Sequence, residues 1–378
     1  MRQRIGLDLI NLTSFIGGMG RLAHQLLEGL SQYDHGNEYF LFVNEKAAQE
    51  IRLDPERFKI VISNAPKIGH LPRNQVFFGL RSWLLPQLDI LHSPVSASPL
   101  VLVRPRKTLI TVTDLAHLKI PETSPWQTRF WRNTVYPICF RKATHIAAIS
   151  ESTKNDIVLN YRIPDHKISV IYLFISVDCR SYSSEESRNI QRKFRVPEKY
   201  LLHVGYSHKR KNQLGLINAF RILKEKTGLP HKLYLVGPGG WDRSLLESFV
   251  RESGLENDVL FPGFIPDEDM GYIFSNADAF IFPSFYEGFG YPPLEAMACG
   301  TPTIVSRMPS LPEIVGDASL FVDPYDPNDI AEKIESVLSD PSLANSLRMA
   351  GFKRIQMFTS ERMAKSYLDL YKKIALVG

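Results

Sequence analysis

The stretch PSFYEGFGYPPLEAMACG, Pro283 to Gly300, decides how this chain is read. It begins where the apolar run Ala279 to Phe282 ends as a buried strand should, and it closes on Gly300 after a short helical pattern. Pro292 and Pro293 fall where a helix starts, because proline is pre-set for the first turn and has no N–H to lose there. The helix runs on through Leu294, Ala296, Met297 and Ala298, and Gly300 supplies a left-handed cap. Strand, glycine loop and helix in that order place the amides of Phe289, Gly290 and Tyr291 at a helix N-terminus, which makes an anion site. Gly288 and Gly290 let a ligand approach the backbone. Glu287 and Glu295 flank this site, with seven residues between them. A phosphate seated between two acids suggests a ligand that also has hydroxyls to hold, a sugar nucleotide.

Outward from that stretch, strands alternate with helices along the whole chain. The second half reads as a strand at Leu201 to Val204, a helix from Asn212, a strand at Lys232 to Val236, a helix from Asp242 and a strand at Val259 to Phe261. A helix from Asp267 to Ser275 then leads into Ala279. The first half opens with a strand at Ile5 to Ile10 and a glycine-bearing loop, Asn11 to Gly20. A helix follows with Leu22, Leu26, Leu27 and Leu30 on one face. Strands at Thr108 to Val112 and Ile146 to Ile149 come later, and Ser150 caps the next helix. Such alternation gives an α/β fold with parallel sheets covered on both faces, two doubly wound Rossmann-like domains. The polar stretch Arg180 to Arg192 marks their boundary. Ligands of such sheets lie beyond the carboxyl ends of the strands, where Gly18, Asp114, Lys211 and Glu287 all sit.

Composition narrows the classes. With 378 residues, 44% of them apolar, the chain is long enough for two ordinary cores. A net charge of +5 favours anionic ligands or an anionic membrane surface but falls short of a nucleic-acid footprint. Three cysteines, Cys139, Cys179 and Cys299, form no pairing motif, so a reducing compartment without disulfides is expected. No signal peptide and no membrane-spanning run are expected either. Two segments, 67–87 with Phe77, Phe78, Trp83 and Leu84, and 126–142 with Trp126, Phe130, Trp131, Tyr136 and Phe140, interleave aromatics with basic side chains. They suit a protein resting on anionic lipid, although core aromatics with a solvated basic face would give the same pattern.

Further basic residues, Lys209, Arg210 and Lys211, follow the strand ending at Val204-Gly205. There they can neutralise a diphosphate, Arg210 with a fork and Lys211 as a point charge. The order and spacing of these motifs closely resemble the retaining GT-B glycosyltransferases called family four, which include bacterial mannosyl- and glucosyltransferases. The matching segments are Gly17-Gly18-Met19-Gly20, Thr111 to Leu115, Ala148 to Glu151, Val204-Gly205 with Arg210-Lys211-Asn212, Pro283 to Gly300, and Ser310 to Glu313 before Gly316.

The resemblance implies two domains facing across a cleft: residues 1–178 on the acceptor side, 179–358 for the nucleotide sugar, and a helix at 359–378 crossing back to the first. It implies that Glu295 holds the ribose. The amides of Phe289, Gly290 and Tyr291 would hold the diphosphate together with Arg210 and Lys211. Glu287 would lie beside the donor sugar, the backbone at Phe264 and Ile265 beside the base, and Gly17 and Gly18 would approach the diphosphate and sugar. Where the family often has a histidine before the loop aspartate, this chain has Thr113, which leaves Asp114 or His117 to orient the sugar. Tyr206 replaces a frequent arginine, which throws the diphosphate charge onto Arg210 and Lys211.

The expected reaction moves a hexose, by resemblance mannose from GDP-mannose, onto a hydroxyl of a glycan or lipid-linked oligosaccharide in surface polysaccharide assembly. It would take place in the cytoplasm, at the inner face of the cell membrane. The alternatives are a UDP-sugar donor, a non-catalytic partner of the same fold, and an epimerase acting on sugar nucleotides. No metal or other cofactor is expected, since the acids Asp267, Glu268 and Asp269 fall in a first helical turn that favours them.

Overall fold

The computed structural model describes residues 2–12, 17–63, 74, 77, 78, 86–95, 107–123, 126–240 and 242–376. It divides into two compact units, Met1–Phe174 with Phe358–Gly378, and Ile175–Met357.

The first unit is built on a seven-stranded sheet in the order β3-β2-β1-β4-β5-β6-β7. Its strands are β1 (Arg4–Asp8), β2 (Glu38–Val43), β3 (Phe58–Ile62), β4 (Ile90–Ser93), β5 (Thr108–Val112), β6 (His145–Ala148) and β7 (Ile168–Val170), paired in parallel throughout. The strands read as continuous apolar runs because both faces are covered, as parallel sheets require. β1 stops at Asp8 rather than Ile10, and the Ile10 amide donates to Asp8 Oδ1 at 3.4 Å. Gly17 and Gly18, expected in a loop, form the first turn of the Gly17–Tyr33 helix. Both positions face open space.

The C-terminal helix, Ser360–Leu376, packs on this sheet. It buries Met363, Tyr367, Leu370, Tyr371 and Ile374, and Gly29 leaves room for Ala364 against the first helix. A buried polar chain ties it down. His92 on β4 bonds Tyr371 Oη at 2.7 Å and Thr111 Oγ1 at 2.8 Å, and Thr111 Oγ1 meets Tyr367 Oη at 3.0 Å.

The second unit carries a six-stranded parallel sheet in the order β10-β9-β8-β11-β12-β13. These are β8 (Tyr200–Val204), β9 (Lys232–Val236), β10 (Val259–Gly263), β11 (Ala279–Phe282), β12 (Thr303–Ser306) and β13 (Ser319–Val322). Leu201, Leu233, Leu235, Ile281 and Ile304 pack with Leu216, Phe220, Ile330 and Ile334 in one fully buried cluster. Each such side chain contributes roughly 1.5–3 kcal/mol of burial. Strand order reverses between β8 and β11, so the crevice beyond their carboxyl ends is where such a sheet takes a ligand.

Two expectations are corrected here. Cys179 and Cys299 form a disulfide, contrary to the expectation of none; Cys139 is buried and takes no part in it. The two residues are 120 positions apart and only the folding of the second unit brings their Cα atoms to 5.1 Å. The aromatic-basic segments also divide. Phe77 and Phe78 are core, packed on Phe42, as are Tyr136 and Phe140 in a second cluster. Trp126 and Phe130 are 67% and 66% exposed. Trp83, Leu84 and the side chain of Trp131 lie outside the described residues. Among the described residues no helix is long and apolar enough to cross a membrane.

Candidate active site in the second unit

Two loops converge beyond the reversal of strand order. After β8 the chain makes a 3-10 turn, Lys209–Lys211, in which His208 Nδ1 accepts the Arg210 amide at 3.1 Å. Asn212 ends the turn in the left-handed region at φ 53° and donates its side chain to the Pro324 carbonyl at 2.6 Å. This turn aims Arg210 and Lys211 toward the loop after β11, and the Phe285 amide donates to the Arg210 carbonyl at 2.8 Å.

Glu287 is the meeting point. Lys211 Nζ lies 2.7 Å from Glu287 Oε1 and Arg210 Nη1 lies 3.2 Å from Oε2. The carboxylate is only 7% exposed. Burial pushes its carboxyl up, but the Arg210 and Lys211 charges outweigh that and hold it below the ordinary range. Lys211 Nζ also sits over the Phe282 ring, 4.6 Å from its centroid, which adds a cation–π contact on the wall of the crevice. Ser310, itself at φ 72°, donates its hydroxyl to the Glu287 carbonyl at 2.8 Å and fixes the loop from below.

The glycine loop ends at Gly290, where φ is +105° and a Cβ would come within 2.7 Å of Leu311 Cδ2. Glycine meets both demands without strain. The Tyr291–Ala298 helix starts there with prolines in its first turn. Phe289 is buried, its ring 5.6 Å from that of Tyr291, and Glu295 is buried on the same helix. At the end of β10, Phe264 is 50% exposed and Ile265 is buried. The arrangement can hold an anion on two cations and a helix N-terminus, with a carboxylate in direct contact with both cations.

Comparison with known proteins follows this division. Residues 16–178 match the family model described as Glycosyltransferase Family 4, and residues 184–354 match that described as Glycosyl transferases group 1. The O-antigen chain mannosyltransferase B of Escherichia coli is 31% identical over 271 residues, 71% of this chain and 71% of that protein. The chain belongs to this glycosyltransferase family. A serotype-specific mannosyltransferase of Escherichia coli, WbdA, is 30% identical over 71% of this chain, but that match spans only 34% of WbdA. Among solved structures, HepE of Anabaena in complex with UDP and glucose superposes with a TM-score of 0.76 at 18% identity, covering 98% of this chain and all of that one. The two parallel-sheet units are those of GT-B glycosyltransferases.

In this glycosyltransferase the remaining predicted residues belong to the first unit. Asp114 follows β5, half-buried, and its Oδ1 accepts the Ala116 amide at 2.9 Å. His117 is buried against Tyr136, with Nε2 3.2 Å from Tyr161 Oη, and burial lowers its pKa to about 4. That is the environment of a packed, neutral histidine. Two contributors escape a reading by motif. Ser310 belongs to a matching segment whose spacing names no partner for it, and Phe282 reads only as the end of a strand. Asp8, at the reversal of strand order between β1 and β4, accepts from Asn74 Nδ2 at 2.8 Å and Ser93 Oγ at 3.3 Å.

Proposed function

We propose that this glycosyltransferase moves mannose from GDP-mannose to a hydroxyl of a glycan or lipid-linked oligosaccharide in surface polysaccharide assembly, retaining the anomeric configuration. The observation that carries the reading is the convergence of Lys211 and Arg210 on Glu287 beyond β8 and β11. The named activity of the Escherichia coli O-antigen relative supports the sugar.

In the proposed reaction the acceptor oxygen bonds to the anomeric carbon on the face that the diphosphate leaves. The C–O bond to the diphosphate breaks with its electron pair, and the acceptor proton passes to a diphosphate oxygen. Arg210, Lys211 and the amides of Phe289, Gly290 and Tyr291 stabilise the charge that gathers on the leaving group, and being fixed beforehand they lower the barrier most. They supply the positive charge that a divalent ion supplies elsewhere, so no metal is required. Asp269 is engaged by Lys193 at 3.0 Å at its helix start. Glu295 takes the ribose hydroxyls, Glu287 faces the sugar, and the backbone at Phe264 and Ile265 faces the base.

Trp126 and Phe130, one helical turn apart and exposed, with Arg141 and Lys142 exposed at the far end of the same helix, support peripheral contact with anionic lipid at the inner face of the membrane. A panel of GDP- and UDP-sugars, followed by release of nucleoside diphosphate with a lipid-linked glycan acceptor, tests the donor. Turnover with a UDP-sugar and none with GDP-mannose would replace the donor assignment. Failure to float with anionic liposomes would remove the membrane contact.

A further inference from the structure

His203, the penultimate residue of β8, is fully buried. Its Nδ1 lies 2.9 Å from the carbonyl oxygen of Ile281 on β11. A carbonyl only accepts, so Nδ1 carries the proton and Nε2 carries a bare lone pair. Burial lowers the pKa of this imidazole to about 4, which keeps it neutral. Nε2 is itself buried and has no hydrogen-bond partner, a state that native proteins rarely leave without a use.

The surroundings say what the lone pair faces. A Cβ on Gly205 would fall 3.3 Å from His203 Nε2 and 3.6 and 3.7 Å from Lys211 Cδ and Cε. The imidazole edge and the lysine stem therefore both border the position over Gly205. They share a second neighbour as well. The His203 ring is stacked on Phe282 with centroids 5.6 Å apart, and Lys211 Nζ is 4.6 Å from the same ring's centroid. An ammonium group has three hydrogens to donate. Glu287 takes one of them, at 2.7 Å.

We propose that His203 is a positioning residue for Lys211, its Nε2 accepting one ammonium hydrogen and so aiming the charge at the diphosphate when the Glu287 carboxylate turns to the donor sugar. This rests on the reading of Lys211 as a diphosphate ligand. The neutral acceptor suits the task, because it orients the lysine without cancelling its charge as a second carboxylate would. Its place at the junction of β8 and β11 keeps it rigid, since both of its fixed contacts are to strands of the sheet.

The test is a double-mutant cycle. His203→Phe, His203→Gln, Lys211→Ala and His203→Phe with Lys211→Ala are compared by calorimetric titration with GDP and with UDP, by initial-rate kinetics and by thermal melting. His203→Phe is expected to weaken nucleoside diphosphate binding and raise the donor KM by about tenfold, the scale of a hydrogen bond to a charged group, with a smaller change in kcat. His203→Gln, whose amide oxygen reaches where Nε2 stands, should recover most of the affinity. In the Lys211→Ala background, His203→Phe should cost nothing further. Unchanged nucleotide affinity in His203→Phe, or losses that multiply in the double variant, overturn the role given to His203. If Lys211→Ala alone leaves the affinity intact, the fault lies instead with the diphosphate reading, and the proposal goes with it.

Discussion

Glu287→Gln removes one charge and keeps the shape, and the structure dictates two opposed consequences. In the free protein the carboxylate is the counter-ion of Lys211 at 2.7 Å and Arg210 at 3.2 Å, whose side chains are 12% and 23% exposed. Two largely buried cations then lose the carboxylate that both contact, and breaking a buried pair in this way costs about 3 kcal/mol. For a domain of this size that corresponds to a fall in melting temperature of roughly 6–12 °C. On the proposed reading, a bound nucleoside diphosphate brings negative charge to the same two cations. The variant should therefore bind GDP at least as tightly as the wild type, and saturating GDP should raise its melting point by more. With Glu287 facing the reacting sugar as proposed, turnover should drop on the order of 100-fold or more when that group loses its charge. Differential scanning fluorimetry with and without GDP, beside initial rates, reads both effects. An unchanged melting point, or a nucleotide affinity that falls as far as the turnover, would refute the counter-ion reasoning.

Other perturbations have equally specific outcomes. Gly290→Ala should cost roughly 1–3 kcal/mol in a denaturant titration, because a Cβ is forced into a positive-φ site and against Leu311. Reduction of Cys179–Cys299, or Cys179→Ser, should lower the melting temperature; the closed loop of 120 residues sets a ceiling of about 4–5 kcal/mol on a chain-entropy estimate. Asp8 is a third case: burial pushes its carboxyl up to about 6, against the hydrogen bonds from Asn74, Ile10 and Ser93. The folded state thus holds this proton more tightly than the unfolded chain, so the stability from Asp8 is full below about pH 4 and is lost as pH rises through 6. Asp8→Asn should melt higher than the wild type at pH 7, by the equivalent of roughly 3 kcal/mol, and the two curves should converge near pH 4.

Much of the site was legible because its pieces are local. A buried strand, a loop with Gly288 and Gly290, and a helix opening on Pro292 and Pro293 each follow from neighbours within a few positions. The same is true of the turn that carries Arg210 and Lys211. Those segments match known glycosyltransferases because the order of strand, loop and helix is written along the chain. Gly17 and Gly18 went differently, since a glycine pair fits a loop and a first helical turn alike and only the built helix decides. The aromatics of 126–142 divided for a similar reason: their spacing is compatible with core or surface, and the neighbouring strands bury Tyr136 and Phe140 while leaving Trp126 and Phe130 outside.

Sequence by itself determined two α/β halves and the strand-loop-helix units that carry Arg210, Lys211 and Glu287. Tertiary structure alone decided that Lys211 and Arg210 meet Glu287, 76 and 77 positions away, that Cys179 finds Cys299, and that His203 keeps a lone pair beside the Lys211 stem. The physical reason is the order of strands. β8 lies against β11 rather than β10, and that choice comes from burying whole faces at once, which no short stretch of residues records.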